Sequence, residues 1–459
     1  MIFRQILHED LGCASYVLAS RGRGAVIDPK WEIEDYLELA EGHGFRIEHI
    51  LETHNHADHL SGRGRLAEAT GASIHISRAA EVDYEHEPLD DGDVLELGRT
   101  RIIARATPGH RPEHISYLVE DRSRGDSPWL LLTGDTLFVG DIARPDLAVE
   151  PEEGARGLFW SLRGLLELDD FVEVWPGHIG GSLCGGPGIS QKPDSTVGFE
   201  RRYNPYLRIQ DERGFVEAVS GDLTPQPPNF ERIVELNRGP LLTQPSTLSP
   251  LAPARVSALL EAGAVLIDGR EPREYDGSHV PGSVNITALK PAVGTRAAWV
   301  TDPDCEVILT GPSDADARRL AAALEAVAFR RLRGYLAGGI AAWRSDGLEL
   351  ETTPALDPAG LAQRLRRDQV RLLDVREREE WREGHVPGSM HLPYHALRYG
   401  VPDELGDSER PIAVACSAGN RSSVAASILR RAGIHHVEHL AEGGVADLAA
   451  HGISLVEGE

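Results

Sequence analysis

The chain has 459 residues and a mass of 50.0 kDa, more than one ordinary domain holds, and its 41% hydrophobic content excludes a disordered or fibrous protein. With 47 Lys and Arg against 72 Asp and Glu the formal charge is −25, which disfavours nucleic acid and anionic membranes as partners. No apolar run approaches the roughly 20 residues that span a bilayer, and residues 1–8 carry charge at once, unlike a secretion signal. Four scattered cysteines (Cys13, Cys184, Cys305 and Cys416) are too few for a disulfide framework, so the expected setting is a reducing cytoplasm.

In chain order, strand-like runs fall at 15–18, 25–28, 49–52, 73–76, 101–104, 115–120, 129–133 and 171–175, several spaced like an antiparallel meander. Helices are expected at 33–43 and 62–70. The strands close in loops that carry His or Asp. After 49–52 comes Thr53-His54-Asn55-His56-Ala57-Asp58-His59; later strand ends carry His110 (Thr-Pro-Gly-His), Asp135 (Thr-Gly-Asp) and His178 (Trp-Pro-Gly-His). Imidazole nitrogen and carboxylate oxygen are ligands for zinc and non-haem iron, and strand-end loops gather them at one sheet edge. His54 and His56 alone would pass for a surface pair. The further ligand-type residues, Asp58 and His59 in the same loop and His110, Asp135 and His178 each after a glycine, point to a metal centre. Gly62-x-Gly64-x-x-Ala67 fits a dinucleotide fingerprint on paper, but it follows the metal motif instead of a strand and reads as a helix start.

The second half repeats itself. Residues 266–283 (LIDGREPREYDGSHVPGS) and 372–389 (LLDVREREEWREGHVPGS) align at an offset of 106, and 337–343 and 442–448 align at 105. Each copy alternates short apolar strands with helices such as 316–328 and 422–432, the pattern of a parallel α/β sheet. The stretch 240–253 holds four prolines and reads as a linker, with a shorter one at 352–358. The expected domains are 1–240, 255–352 and 357–459, with residues 241–254 between the first two.

In the second copy a strand runs into Cys416-Ser417-Ala418-Gly419-Asn420-Arg421 and then a helix. A cysteine there faces backbone N–H groups and a positive helix end, both of which stabilise a thiolate or persulfide. Gly419 lets the loop close and Arg421 adds a cation. In the first copy Thr310 stands where Cys416 does, with Asp314 and Asp316 in place of Asn420 and Ser422, so that copy is inactive, a spacer or docking platform. Cys13 and Cys305 read as structural, and His279 and His385 as parts of a structural turn.

On the motif His54-x-His56-x-Asp58-His59 with His110, Asp135 and His178, residues 1–240 resemble the metallo-β-lactamase superfamily, which implies a four-layer αββα sandwich. Two of its branches imply different chemistry. Glyoxalase-II-like thioester hydrolases imply two zinc ions per chain on all these residues. Persulfide dioxygenases imply one Fe(II) per chain on His54, His110 and Asp135, with three positions open. His56, Asp58, His59 and His178 then orient ligands, hydrogen-bond a sulfur anion or move protons. The segment Asp141-Ile-Ala-Arg144-Pro-Asp146 resembles the Gly-Arg-x-Asp stretch of the dioxygenase branch, with Ala143 for its glycine. Arg144 reads as an anchor for an anionic persulfide, or as an ion-pair partner of Asp141 or Asp146. Cys184, in the glycine-rich loop after His178, reads as a persulfide carrier or gate, or as an idle buried cysteine. That loop resembles those of dioxygenase–rhodanese fusions.

On Asp374-Val-Arg376-Glu, Gly384-His-Val-Pro-Gly-Ser389 and the cysteine loop, each repeat resembles the rhodanese family, with Leu448 where its usual Trp stands. The resemblance implies two α/β domains with parallel sheets and sulfur transfer by Cys416, cradled by Ser417, Ala418, Gly419, Asn420 and Arg421. Cys-x4-Arg is one residue shorter than the phosphate-wrapping Cys-x5-Arg loop and suits a sulfur atom. Together the resemblances imply a multidomain α/β enzyme that oxidises a low-molecular-weight thiol persulfide with O2 to sulfite and thiol. Its rhodanese would pass sulfane sulfur to or from sulfite and thiosulfate. The competing readings are a dizinc thioester hydrolase with a rhodanese appendage, and a non-enzymatic sulfur carrier or persulfide sensor. A homo-oligomer is expected by analogy.

Overall fold

The strand Cys13–Ser20 is buried at every position, which requires cover on both faces. Alternate side chains supply it: Tyr16 and Leu18 join a cluster with Tyr117, Val119 and Leu132, while Val17 and Ala19 join another with Tyr36, Ala40 and Leu66. The computed structural model describes residues 1–459 except Glu9, Gly181, Pro187, Asp222, Leu289, Lys290 and Glu459. It divides into two compact units, Met1–Pro245 with Ala326–Ala328, and Ser246–Glu325 with Phe329–Glu459.

The first unit stacks two six-stranded sheets. One runs β1 (Ile2–His8), β2 (Cys13–Ser20), β3 (Arg23–Ile27), β4 (Arg46–Leu51), β5 (Ser73–Ser77), β6 (Glu87–Leu89). The other is ordered β12-β11-β10-β9-β8-β7, from β7 (Val94–Leu97), β8 (Thr100–Ala106), β9 (Ile115–Asp121), β10 (Leu130–Gly134), β11 (Glu173–Pro176) and β12 (Ser195–Thr196). The Tyr16 cluster fills the space between them. The Tyr36 cluster lies under the helices Glu34–His43 and Arg63–Thr70, and a third cluster, with Leu158, Phe159 and Leu162, lies under Pro151–Leu165. This is the αββα order of layers.

The expected meander holds only for β1–β3 and β7–β10; β3–β6 are parallel, because the helices Glu34–His43 and Arg63–Thr70 carry the chain back between strands. Helix Pro151–Leu165 was not among the sequence expectations, although Pro151 at its first turn and Glu152 and Glu153 behind it suit a helix start. Since β8 and β10 both run against β9 and β11 runs with β10, Ala106, Gly134 and Pro176 end on one sheet edge. The Thr53 carbonyl accepts from Ile115 N–H at 2.8 Å, tying the histidine loop to the second sheet.

The second unit holds two parallel five-stranded sheets with the same strand order. The first repeat has β13 (Pro250–Leu251), β14 (Val265–Asp268), β15 (Val284–Asn285), β16 (Val307–Thr310) and β17 (Leu332–Leu336). The second has β18 (Ala355–Leu356), β19 (Arg371–Asp374), β20 (Met390–His391), β21 (Ile412–Ala415) and β22 (Val437–Leu440). Central strands β14, β16 and β21 are buried throughout, as parallel strands covered on both faces must be. The proline-rich stretch expected as a linker is irregular only at first. Pro250–Leu251 forms an edge strand and Pro253 opens a helix, a position that needs no N–H. Among the described residues no helix is long and apolar enough to cross a membrane.

Candidate metal centre and cysteine loop

Asp28, just past β3, fixes the start of the histidine loop. Its carboxylate accepts from Thr53 N–H at 2.7 Å and from the Thr53 hydroxyl at 2.8 Å. With that proton committed, Thr53 Oγ1 offers a lone pair to His54 Nδ1–H at 2.8 Å, so His54 Nε2 keeps its own lone pair free. His110 is set likewise: Nδ1 donates to the Arg144 carbonyl at 2.9 Å, leaving Nε2 free. Asp135 accepts from His178 Nδ1 at Oδ1, 2.8 Å, and turns Oδ2 the other way.

The three atoms so turned meet. His54 Nε2 and His110 Nε2 lie 3.9 and 3.5 Å from Asp135 Oδ2, all three buried and without a hydrogen-bond partner among the described residues. Ligands about 2.1 Å from one ion stand roughly 3–3.5 Å apart, so small movements complete a two-histidine, one-carboxylate face. The donor set fits a divalent transition metal. Burial favours neutral His54 and His110, the ligating form, and although burial opposes ionisation of Asp135, His178 holds its carboxyl down to about 2.

The other motif residues are turned elsewhere. His56 Nε2 lies 3.2 Å from Asp28 Oδ1 and 3.5 Å from Glu52 Oε2, in ion-pair rather than hydrogen-bond geometry. Burial works against its charge, but these two carboxylates prevail and raise it to about 10. Asp58 accepts from His59 Nδ1 at 3.1 Å and pairs with His178 Nε2 at 2.9 Å. Cys13, read from sequence as structural, stands beside them, its Sγ 2.9 Å from Asp58 Oδ2.

Arg144 is buried and its guanidinium is occupied. Nε and Nη2 grip Asp146 at 2.6 and 2.8 Å, Nη1 reaches the Leu183 carbonyl and Nη2 the Thr224 carbonyl. Of the two sequence readings the geometry favours the ion pair, with Asp146 and not Asp141. Cys184 is buried among Phe138, Ile142 and Ile189, yet its sulfur lies within 4.8 Å of ligand atoms of Asp135 and His178. Burial pushes its thiol well up. Gly181 and Pro187 of its loop lie outside the described residues.

In the second repeat, Cys416 follows β21 and its Sγ accepts from Gly419 N–H at 3.1 Å. Gly419 takes a left-handed φ of 84°, from which the helix Asn420–Arg431 begins. Arg421 forks onto Glu380 at 2.5 and 2.8 Å and reaches Ser417 Oγ at 2.9 Å, so it braces the loop with its charge near enough to Cys416 to interact electrostatically. Ser417 and Ala418 are exposed at the loop tip and Asn420 opens the helix. In the first repeat Thr310 Oγ1 is buried without a partner among the described residues, and Asp314 accepts from Gly338 N–H. His279 and His385 stack on Tyr275 and Trp381 and point Nδ1 at those residues' carbonyls, as structural turns do.

The family model for the metallo-beta-lactamase superfamily matches residues 8–178, and that for the rhodanese-like domain matches residues 252–346 and 357–451. The chain belongs to the metallo-beta-lactamase superfamily and carries two rhodanese-like domains. It is similar to a mitochondrial persulfide dioxygenase of Bos taurus, 30% identical over 255 residues, covering 54% of this chain and 91% of the relative. It is as similar to a hydroxyacylglutathione hydrolase of Anaeromyxobacter dehalogenans, 31% identical over 231 residues, covering 45% of this chain and 85% of the relative. A crystal structure of a metallo-beta-lactamase from Staphylococcus aureus subsp. aureus COL is 30% identical with a TM-score of 0.64, and spans 73% of this chain and 99% of that one. That span exceeds the first unit alone.

Within the metallo-beta-lactamase unit, sequence reasoning took Cys13 as merely structural and passed over the Asp28–Thr53 clamp and His114, whose Nε2 accepts from Asp135 N–H at 2.9 Å. Asp28 did carry a signal, as an acid at a strand end. Cys13 and His114 carried none, because only the pairing of distant segments brings them to the site.

Proposed function

We propose that the metallo-beta-lactamase unit is an Fe(II)-dependent persulfide dioxygenase and that the second rhodanese-like domain is a sulfurtransferase acting on the same sulfane sulfur. The observation that carries this reading is the division of the histidine motif: His54, His110 and Asp135 turn unpartnered atoms to one point, while His56 is drawn to Asp28 and Glu52. One Fe(II) held by these three residues would supply the open coordination that binds a sulfur ligand and O2. Thr53 and the Arg144 carbonyl orient the two imidazoles, and His178 presents Asp135 Oδ2. In balance, the outer sulfur of the persulfide RSSH takes two oxygens from O2 and one from water and leaves as sulfite, and RSH is regenerated.

Cys416 then handles sulfane sulfur. Its thiolate attacks the outer sulfur of a persulfide or thiosulfate, forming an S–S bond as thiolate or sulfite leaves with the electron pair. Gly419 N–H and the helix start stabilise the sulfur anion. The same step run in reverse delivers sulfur to sulfite.

Similarity to both a dioxygenase and a hydrolase leaves the choice to the site. A dizinc hydrolase would need His56, Asp58, His59 and His178 to turn to metal as well. The test is oxygen uptake by the full chain, loaded anaerobically with Fe(II), on addition of glutathione, coenzyme A or bacillithiol persulfide. Uptake is expected to vanish in His54→Ala and persist in Cys416→Ser. No uptake from iron-containing protein with any of the three, or two bound zinc ions with thioesterase activity, overturns the dioxygenase in favour of the hydrolase.

A further inference from the structure

Behind Cys416 a buried line of polar groups leaves the second repeat. Cys416 Sγ is 3.2 Å from Ser422 Oγ, Ser422 Oγ is 3.0 Å from His439 Nε2, and His439 Nδ1 is 2.7 Å from Asp276 Oδ2. Asp276 belongs to the first repeat, on the helix Pro272–Gly277. None of the four residues is more than 3% exposed. His439 Nε2 also lies 2.9 Å from the Gly419 carbonyl, in the residue whose N–H donates to Cys416.

We propose that the first repeat, which has no cysteine in its own loop, completes the site of the second: Asp276 positions His439, and His439 takes the Cys416 thiol proton through the Ser422 hydroxyl. This rests on Cys416 being the sulfur carrier. A carboxylate only accepts, so Nδ1–H goes to Asp276 and the Nε2 lone pair faces Ser422. Ser422 O–H donates to Nε2 and its oxygen accepts the thiol S–H. Two proton shifts, S–H to Oγ and O–H to Nε2, leave a thiolate, an intact hydroxyl and an imidazolium beside a carboxylate. Only protons move, and no redox partner is needed.

Two features support a relay over a bare structural bond. The Gly419 carbonyl meets Nε2 with no hydrogen to accept while the ring is neutral, and gains one when the ring is protonated. The first repeat also holds the helix that carries Ser422: Ser423 Oγ donates to Asn285 Oδ1 at 2.5 Å, and Asn285 N–H donates to Ser427 Oγ at 3.1 Å. One domain therefore sets both the hydroxyl and the ring it serves. Among the described residues the charged groups beside this loop include Arg421, whose charge acts on Cys416, and Glu380 and Glu377, which pair with it.

The test uses the full chain with Asp276→Asn and His439→Gln, which keep side-chain size. Alkylation of Cys416 by iodoacetamide is followed by mass spectrometry across pH, alongside persulfide formation from thiosulfate. Each variant is expected to lose alkylation rate at neutral pH on the order of 100-fold, the low end for a general acid–base group, with its profile displaced to higher pH. The double variant should lose no more than either single one. Ser422→Ala, which deletes one oxygen, should do the same and answers the question if a larger change prevents folding. Variants that melt lower but keep the wild-type profile would assign a structural bond only and overturn the proposal. If wild-type protein takes up no sulfur, the carrier reading fails instead, and the alkylation profile still decides the relay.

Discussion

Loading the metallo-beta-lactamase unit with metal should change its stability by a predictable amount. Three buried polar atoms, His54 Nε2, His110 Nε2 and Asp135 Oδ2, have no hydrogen-bond partner among the described residues, and each such atom costs about 1–3 kcal/mol. An ion that satisfies all three binds the folded chain and not the unfolded one. At free Fe(II) 100-fold above its Kd, the linkage is about 2.7 kcal/mol. For a unit of this length each kcal/mol moves Tm by about 2–4 °C, so the melt should rise by about 5–11 °C. Anaerobic calorimetry of the full chain with and without Fe(II), reversed by a chelator, measures it. His54→Ala and His110→Ala should abolish the shift, and His59→Ala should keep it. A shift that survives His110→Ala but disappears in His59→Ala would refute the reasoning and place the ion on the His56, Asp58 and His59 group.

Gly419→Ala puts a side chain at φ 84° with its Cβ 2.8 Å from the Ala441 carbonyl; the expected cost is about 1–3 kcal/mol with reduced sulfur uptake at Cys416, checked by denaturant titration and a thiosulfate assay. Arg144→Lys keeps the charge but loses the fork that grips Asp146 and the carbonyls, so the segment holding His110 loosens. Iron affinity should fall on the order of 10-fold by equilibrium dialysis. The His49 and His75 rings share a hydrogen bond at 3.0 Å, and burial followed by the neighbouring His49 brings His75 to about 4. The unfolded chain therefore protonates this residue first. Its contribution is complete above about pH 6.5 and falls on acidification toward pH 4; thermal melts of His75→Gln should show a shallower acid slope over that window.

Much of this molecule is legible residue by residue. The metal-ligand types sit at strand ends, the cysteine sits between a buried strand and a helix, and the repeat announces two copies of one sheet, because chemistry and periodicity are written in adjacent residues. Helix Pro151–Leu165 and the parallel half of the first sheet were not legible, since strand direction depends on how helices return the chain across the sheet. Arg144 shows the limit within the site: the sequence offers Asp141, Asp146 or a substrate anion as its partner, and only the fold brings the Leu183 and Thr224 carbonyls to the guanidinium beside Asp146.

Sequence alone sets which atoms are available: seven His and Asp side chains of one motif set, one loop cysteine, and one repeat without it. Tertiary structure decided which way they turn. An imidazole has two nitrogens, and the partner of one decides what the other does. His54 and His110 turn Nε2 to Asp135 because Thr53 and the Arg144 carbonyl take their Nδ1 hydrogens, His56 faces away because Asp28 and Glu52 attract it, and His439 faces Ser422 because Asp276 holds its far side. Most of those partners lie tens to hundreds of residues away along the chain, where local spacing carries no record of them.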